Sequence, residues 1–225
     1  MNKLILFGAL ALAAAAPASA GKLKKMAFSP ADPEALVLVE ERDGLRGGYF
    51  TFVAVDIAAM TRGKAKIVVD KTTAGRLRTA NPGLQTKGEG LMVPRNMSRF
   101  SAAKGAPGDY ALVDFTYGVF GGTVTECGGR AIAVFRFAPG KANLVTAEML
   151  PEGGHSSNIL SYRAARNGSN ADVADAQAIL GEYPNLRGEV VPAEFRGWYQ
   201  FRKDKGGVSA CGKGDFLVPV TPPRG

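Results

Sequence analysis

Apolar and polar positions alternate in short runs along most of the chain, with the two-residue period of half-buried β-strands. Residues 49–57, YFTFVAVDI, put Tyr49, Thr51, Val53 and Val55 on one face and Phe50, Phe52 and Ala54 on the other. A strand that is apolar on both faces is central or lies between two layers. The same reading predicts strands over 35–40, 64–70, 97–103, 110–117, 131–137, 143–149, 189–191, 197–202 and 216–220. Asn81 to Gly90 reads as a loop, and Gly121-Gly122 as a break. Ala106-Pro107-Gly108-Asp109 and Ala138-Pro139-Gly140-Lys141 are turn signals. Proline pre-sets its own φ there and glycine tolerates a positive one. Each lies between two strand segments, which predicts antiparallel hairpins.

One segment carries the helical period instead. Val173, Ala176, Ile179, Leu180 and Tyr183 recur at close to 3.6-residue spacing, so a helix is predicted over about 171–183. Asn170 can cap it, Asp172 and Asp175 suit the positive end of its dipole, and Pro184 stops it. No internal repeat or linker divides the rest. The prediction is a mainly β fold: one antiparallel β-sandwich domain over 35–220 with a single helix in its C-terminal half. A basic arm over 21–34 precedes it and a flexible tail over 221–225 follows.

The strand Tyr49 to Asp56, the two turn-strand units Pro107-Gly108-Asp109-Tyr110 and Pro139-Gly140-Lys141, and the segment Leu180-Gly181-Glu182-Tyr183-Pro184-Asn185 resemble exported bacterial β-sandwich domains of unknown function, many of them lipoproteins. The resemblance spans roughly residues 36–186. It implies a small sandwich in the bacterial envelope, with no catalytic residues to transfer.

The N-terminus bears on the compartment. Lys3 precedes an unbroken apolar run from Leu4 to Ala16, and Ala18-Ser19-Ala20 is a small-x-small cleavage site. These are the three parts of a secretory signal peptide over 1–20, cut after Ala20. The run is shorter than the roughly 20 residues that a spanning helix needs, and no later stretch approaches that length, so no transmembrane segment is expected after cleavage. Gly21, not cysteine, follows the cut, so the lipid-accepting residue of the lipoproteins is missing. The expectation is a periplasmic or extracellular protein. In an oxidising compartment two cysteines usually pair, and Cys127 with Cys211 is the intramolecular option. Two free thiols or an intermolecular bridge are the alternatives. No CxxC redox pair is present.

Composition narrows the chemistry. One histidine and two cysteines cannot build a multi-histidine site or a four-thiolate site, and no cofactor is expected. The formal net charge of +8 falls by one when Lys3 is removed. Lys22, Lys24 and Lys25 mark one end of the mature chain. Arg196, Arg202, Lys203, Lys205, Lys213 and Arg224 against Asp204 and Asp215 mark the other. The middle is close to neutral. Basic ends outside the cytoplasm suit anionic lipid, lipopolysaccharide or the acidic surface of another envelope protein, whereas nucleic acid is not expected there.

Three motifs suggest chemistry, and each falls short. Gly207 to Gly214, GVSACGKG, has Gly214 where a phosphate-binding loop needs Ser or Thr, and β-like residues follow instead of a helix. It reads as a glycine-rich loop around Cys211. Ser101-Ala102-Ala103-Lys104 matches a serine–lysine dyad, but Gly105 and Pro107 leave little room for the helical turn that would bring the two together. His155 lies between two glycines and two serines, without an oriented acid or nucleophile in sequence reach. The leading reading is therefore a non-enzymatic envelope binding or structural module that acts through a sheet edge or its basic ends. The alternatives are a small hydrolase using His155 or Ser101, and a lipid or apolar-ligand carrier with a cavity lined by the aromatic strands.

Overall fold

The computed structural model describes residues 26–41, 48–57, 67–69, 76–79, 99–119, 122–127, 131–147, 149–150, 161–162, 170–203, 207 and 214–221. Among these the fold is mainly β, with two principal sheets and one helix, as the sequence pattern predicts.

The smaller sheet has the order β12–β9–β1–β5. It comprises β1 (Ala35–Glu41), β5 (Arg99–Gly105), β9 (Ala142–Ala147) and β12 (Val190–Pro192). Its β1–β5 pair is antiparallel, but β9 runs parallel to both β1 and β12, so this sheet is mixed. A further two-stranded pair joins β10 (Met149–Leu150) to β11 (Ser161–Tyr162).

The larger sheet has the order β4–β2–β3–β14–β13–β8–β6–β7, with an additional pairing of β2 to β6. Its strands are β2 (Gly48–Asp56), β3 (Ile67–Val69), β4 (Arg76–Arg78), β6 (Gly108–Val119), β7 (Gly122–Cys127), β8 (Ile132–Phe137), β13 (Glu194–Arg202) and β14 (Phe216–Pro219). The β2–β6 pairing closes six of them, β2–β3–β14–β13–β8–β6, into an antiparallel barrel. Closure pairs these six strands in a ring, while β4 and β7 flank it as the remaining edge strands of the sheet. It also requires strong local twist, and two register shifts supply it. One lies in the β2–β6 ladder at Thr51/Phe52, the other in the β13–β8 ladder at Phe195/Gly197. Gly197, with φ 126°, adopts backbone that a side chain would strain.

Three apolar clusters fill the space between layers. Leu36, Leu38, Phe100, Leu144 and Val190 pack under α1 (Asn170–Gly181), with Ala176, Ile179 and Leu180 from the helix and Phe28 from the entering chain. Ala35, Val37, Val39 and Val145 face the other way, onto Phe50, Phe52, Leu112, Phe115, Phe135 and Phe137 of the barrel wall. Val53, Val55, Ala111, Val113, Ile132, Val134, Tyr199, Phe201 and Leu217 fill the barrel itself. β1 and β2 are thus buried on both faces, as the two-sided apolar pattern of 49–57 predicts for β2. Each fully buried phenylalanine contributes roughly 1.5–3 kcal/mol.

The helix spans 170–181, two residues short of the predicted end. Its chain then turns through Glu182 N to Ile179 O at 3.1 Å and Tyr183 N to Leu180 O at 3.0 Å. Gln177 ties the helix to β12, donating to Gly188 O at 3.1 Å and accepting from Val190 N at 2.8 Å.

The two Pro-Gly turns do not form hairpins. Pro107-Gly108 carries the chain from β5 in the small sheet to β6 in the barrel, and Pro139-Gly140 carries it back from β8 to β9. Turn chemistry reverses the chain but does not decide whether the flanking strands pair or enter opposite layers. Gly140 (φ 65°) approaches Pro30 so closely that a Cβ would lie 2.5 Å from its carbonyl oxygen. The buried Asn143 staples this turn, accepting from Ala138 N at 2.8 Å and donating to Ala138 O and Lys141 O at 3.0 Å. A true hairpin occurs where Gly121-Gly122 reads as a break: Val119 pairs with Gly122 as β6 leads into β7. β4, β7, β10 and β11 are strands that the pattern did not predict.

Candidate functional site

Within the barrel, β2 and β8 run one way and β6 and β13 the other, because every pair is antiparallel. One end therefore gathers the start of β6, the end of β8 and the start of β13. The opposite end gathers the start of β2, the end of β6, the end of β13 and the start of β14. Each end carries one aspartate from β6 on the barrel-interior face.

At the first end Asp109 is buried and fully paired. It accepts from Arg136 Nε and Nη2, both at 2.9 Å, a bidentate fork across the β6–β8 ladder. Arg196 Nε lies 3.8 Å away and also pairs with Glu194. The bond to Asp109 raises the Arg136 pKa further. Burial raises that of Tyr199, whose hydroxyl donates to Arg196 O at 3.3 Å.

At the second end the polar groups are incompletely matched. Across β4, β2, β6 and β7 one register row reads Arg78, Thr51, Asp114, Cys127, and the adjoining row on that face reads Tyr49, Thr116, Thr125. Leu77 anchors β4 in the interlayer core, so Arg76 and Arg78 on either side of it are exposed on the opposite face. The Arg78 guanidinium sits 4.5 Å from the centroid of the Tyr49 ring. Thr116 and Thr125 share a hydroxyl hydrogen bond of 2.9 Å. Asp114, half-buried, makes no ion pair among the described residues. Burial lifts its carboxyl above the usual range, while the Thr51 hydroxyl, Arg78 and Arg76 oppose that rise without cancelling it. Thr51 Oγ1 is itself buried and lacks a well-formed hydrogen bond. A buried hydroxyl and carboxyl left in this state are costly, unlike the saturated pair at the other end.

Of the residues predicted from sequence, Lys203 is exposed and falls at this second end, where β13 finishes, with its backbone N–H bonded to Gly207 O at 3.3 Å. Cys127 ends β7 in register with Asp114. Ala20, Lys22, Lys24, Lys25, His155, Lys205 and Cys211 lie outside the described residues. The chain emerges at Met26 in the helix layer, on the far side of the small sheet from the barrel. Gly214 explains the end of the glycine-rich segment: a Cβ there would lie 2.8 Å from Phe201 Cβ and 2.9 Å from Arg202 O. The chain then enters β14, where a phosphate-binding loop would begin a helix.

Ser101 is fully buried on β5, opposite Val39. Three residues along a strand reverse the face, so Lys104 points away from it and pairs with Glu34 at 2.7 Å. The serine–lysine dyad is therefore absent, and Ser101 is closed to substrate. The aromatic strands that a carrier would use as a cavity wall are packed on one another, with Phe50–Phe115 centroids at 4.7 Å and Tyr110–Phe137 at 5.2 Å. Among the described residues no group of three or more His, Cys, Asp or Glu side chains could hold a metal ion, and no helix is long and apolar enough to cross a membrane.

Asp109, Arg136, Arg76, Arg78 and Asp114 were not singled out from sequence. For Asp114 a signal exists: it is the one acid in the run YALVDFTY. Comparison with known proteins adds nothing to the geometry: no protein-family model, curated protein or solved structure matches the chain.

Proposed function

We propose that this is an exported, non-enzymatic envelope protein that binds an anionic lipid surface, lipid headgroups or lipopolysaccharide, through the second end of its barrel. One observation carries the reading: Arg76, Arg78 and Lys203 are exposed at the same barrel end, where the polar groups are incompletely matched. The signal-peptide pattern of residues 1–20 supports export, and the lysines at 22, 24, 25 and 205 extend the basic character beyond the folded core. In this reading Cys127 and Cys211 are bridged. Cys127 lies four residues before Ala131, and Cys211 three before Gly214. Both Ala131 and Gly214 stand at this same end, as β8 and β14 begin. The bridge would tie the 204–213 segment to the barrel and stabilise it by about 2–5 kcal/mol.

Each basic residue near an anionic surface contributes on the order of 1 kcal/mol, and salt screens the effect. The test is co-sedimentation of the mature chain with anionic and with zwitterionic vesicles at low and high salt. The same measurement is made on a variant with Arg76, Arg78, Lys203 and Lys205 changed to Gln. The expected result is binding to anionic vesicles only, weakened by salt and by the substitutions. Equal binding by both proteins, or indifference to salt, would refute it. Recovery of a proteinaceous partner without vesicle binding would point to another envelope protein instead.

A further inference from the structure

We infer that the row Arg78–Thr51–Asp114, with Arg76 two residues along β4 on the same face, forms a phosphate-monoester site whose occupancy is controlled by the Asp114 carboxyl. The inference rests on the envelope-binding reading and names the chemical group recognised there.

Arg76 and Arg78 alternate along β4, so both project from one face, about 7 Å apart along the strand. Among the described residues neither has an ion-pair partner, although Arg136 and Arg196 at the opposite end both do. The Arg78 guanidinium carbon lies over the Tyr49 ring, 4.5 Å from its centroid, a cation–π contact that leaves the charge without a carboxylate partner among the described residues. Two planar forks at this spacing suit the several oxygens of a phosphate better than a single carboxylate. Thr51, directly across the ladder from Arg78, holds a buried hydroxyl still lacking a well-formed hydrogen bond. Enclosed beside Asp114, it acts on that carboxyl, and the exposed arginines are the groups that reach a ligand.

Asp114, next in the row, sets the condition. Ionised, it repels the incoming anion and offsets part of the arginine charge. Protonated, it becomes a donor. The described groups that face it are Tyr49 and Thr51 on β2, Arg76 and Arg78 on β4, Thr116 on its own strand and Thr125 on β7, with Cys127 at its register position. No other acid is among them. Because binding and protonation are linked, a phosphate bound beside Asp114 raises its proton affinity, and protonation tightens phosphate binding by the same factor.

The experiment is isothermal titration of the mature protein with inorganic phosphate from mildly alkaline to mildly acidic pH. The parent is compared with Asp114→Asn, Arg76→Gln and Arg78→Gln. Vesicles with and without a phosphate-monoester lipid serve as competitors, to separate a headgroup from free phosphate. Inorganic phosphate itself gains a proton across this pH range, and that change is common to the parent and the variants, so the ratio of affinities isolates Asp114. The expected result is that Asp114→Asn binds phosphate several-fold more tightly than the parent at alkaline pH. The advantage should shrink toward unity in acid. Each arginine substitution should weaken binding by roughly tenfold, the usual scale for losing a charge-assisted hydrogen bond. The tighter binding of Asp114→Asn cannot come from misfolding. An Asp114→Asn variant no tighter than the parent at any pH, or arginine variants that bind phosphate as the parent does, would overturn the site. Vesicle binding that depends on Lys203 and Lys205 but not on Arg76 and Arg78 would overturn this inference and leave anionic-surface binding at the barrel end standing. Phosphate binding as described, without any vesicle binding, would support the site and refute the envelope-binding reading.

Discussion

Asp109 and Asp114 stand five residues apart on one strand, face the same barrel interior, and play opposite parts. Asp109 receives two hydrogen bonds of 2.9 Å from one arginine and has a second arginine at 3.8 Å. Its negative charge is spent inside the fold, holding β6 against β8. Asp114 has no ion pair among the described residues and lies beside a buried hydroxyl and two exposed arginines, with burial working against its charge. A saturated buried pair has nothing left to offer a ligand, and breaking it harms the fold. A polar set left incompletely matched is a poor way to stabilise a barrel, and that makes it the better candidate for a working surface.

The contrast can be broken most readily at Asp109. Asp109→Ala removes the bidentate charge-assisted pair with the half-exposed Arg136 and is expected to cost roughly 1–3 kcal/mol, read by urea denaturation at neutral pH. A loss below about 0.5 kcal/mol, the range of ordinary surface changes, would remove the structural role given to that end. Gly214→Ala probes how the second end is held, since the new Cβ would meet Phe201 and Arg202 at 2.8–2.9 Å. A penalty of about 1–3 kcal/mol is expected from overpacking, and an unchanged midpoint would contradict the close approach of that segment to β13.

Asp114→Asn should act in the other direction and more weakly. The folded carboxyl has a raised pKa, so the stability it contributes is greatest below its unfolded pKa and is lost as pH rises through the folded one. At neutral pH the Asn variant should therefore be as stable as the parent or more so, by no more than about 1 kcal/mol. The difference should close as the pH falls toward the ordinary carboxylate range, and thermal melts across that window decide it. Smallest of all, Arg76→Gln should leave stability within about 0.5 kcal/mol of the parent while reducing phosphate binding. A clear drop in melting temperature would instead mark Arg76 as part of the barrel's own construction.

The layers were legible in the sequence because burial on two faces leaves an unmistakable pattern: YFTFVAVDI places Phe50 and Phe52 against the small sheet and Val53 and Val55 inside the barrel, as alternation demands. The helix was legible from its period and from Pro184. Barrel closure was not, because it depends on the pairing of β2 with β6 and on two register shifts, and local alternation carries no record of partner choice. The same limit explains the Pro-Gly turns, whose residues specify a reversal but not the layer that follows. β4 is only three residues long, with one apolar position, so Arg76 and Arg78 had no strand to stand on until the fold supplied it. Asp114 was visible as an acid in an apolar run. Its difference from Asp109 became apparent only when Arg136 was found opposite one and not the other.

The most direct test is an NMR titration of the Asp114 carboxyl carbon in the mature protein, with and without inorganic phosphate. The account predicts a midpoint above the ordinary aspartate range in the free protein, and a further upward displacement when phosphate is bound. A midpoint in the ordinary range that phosphate does not move would contradict it.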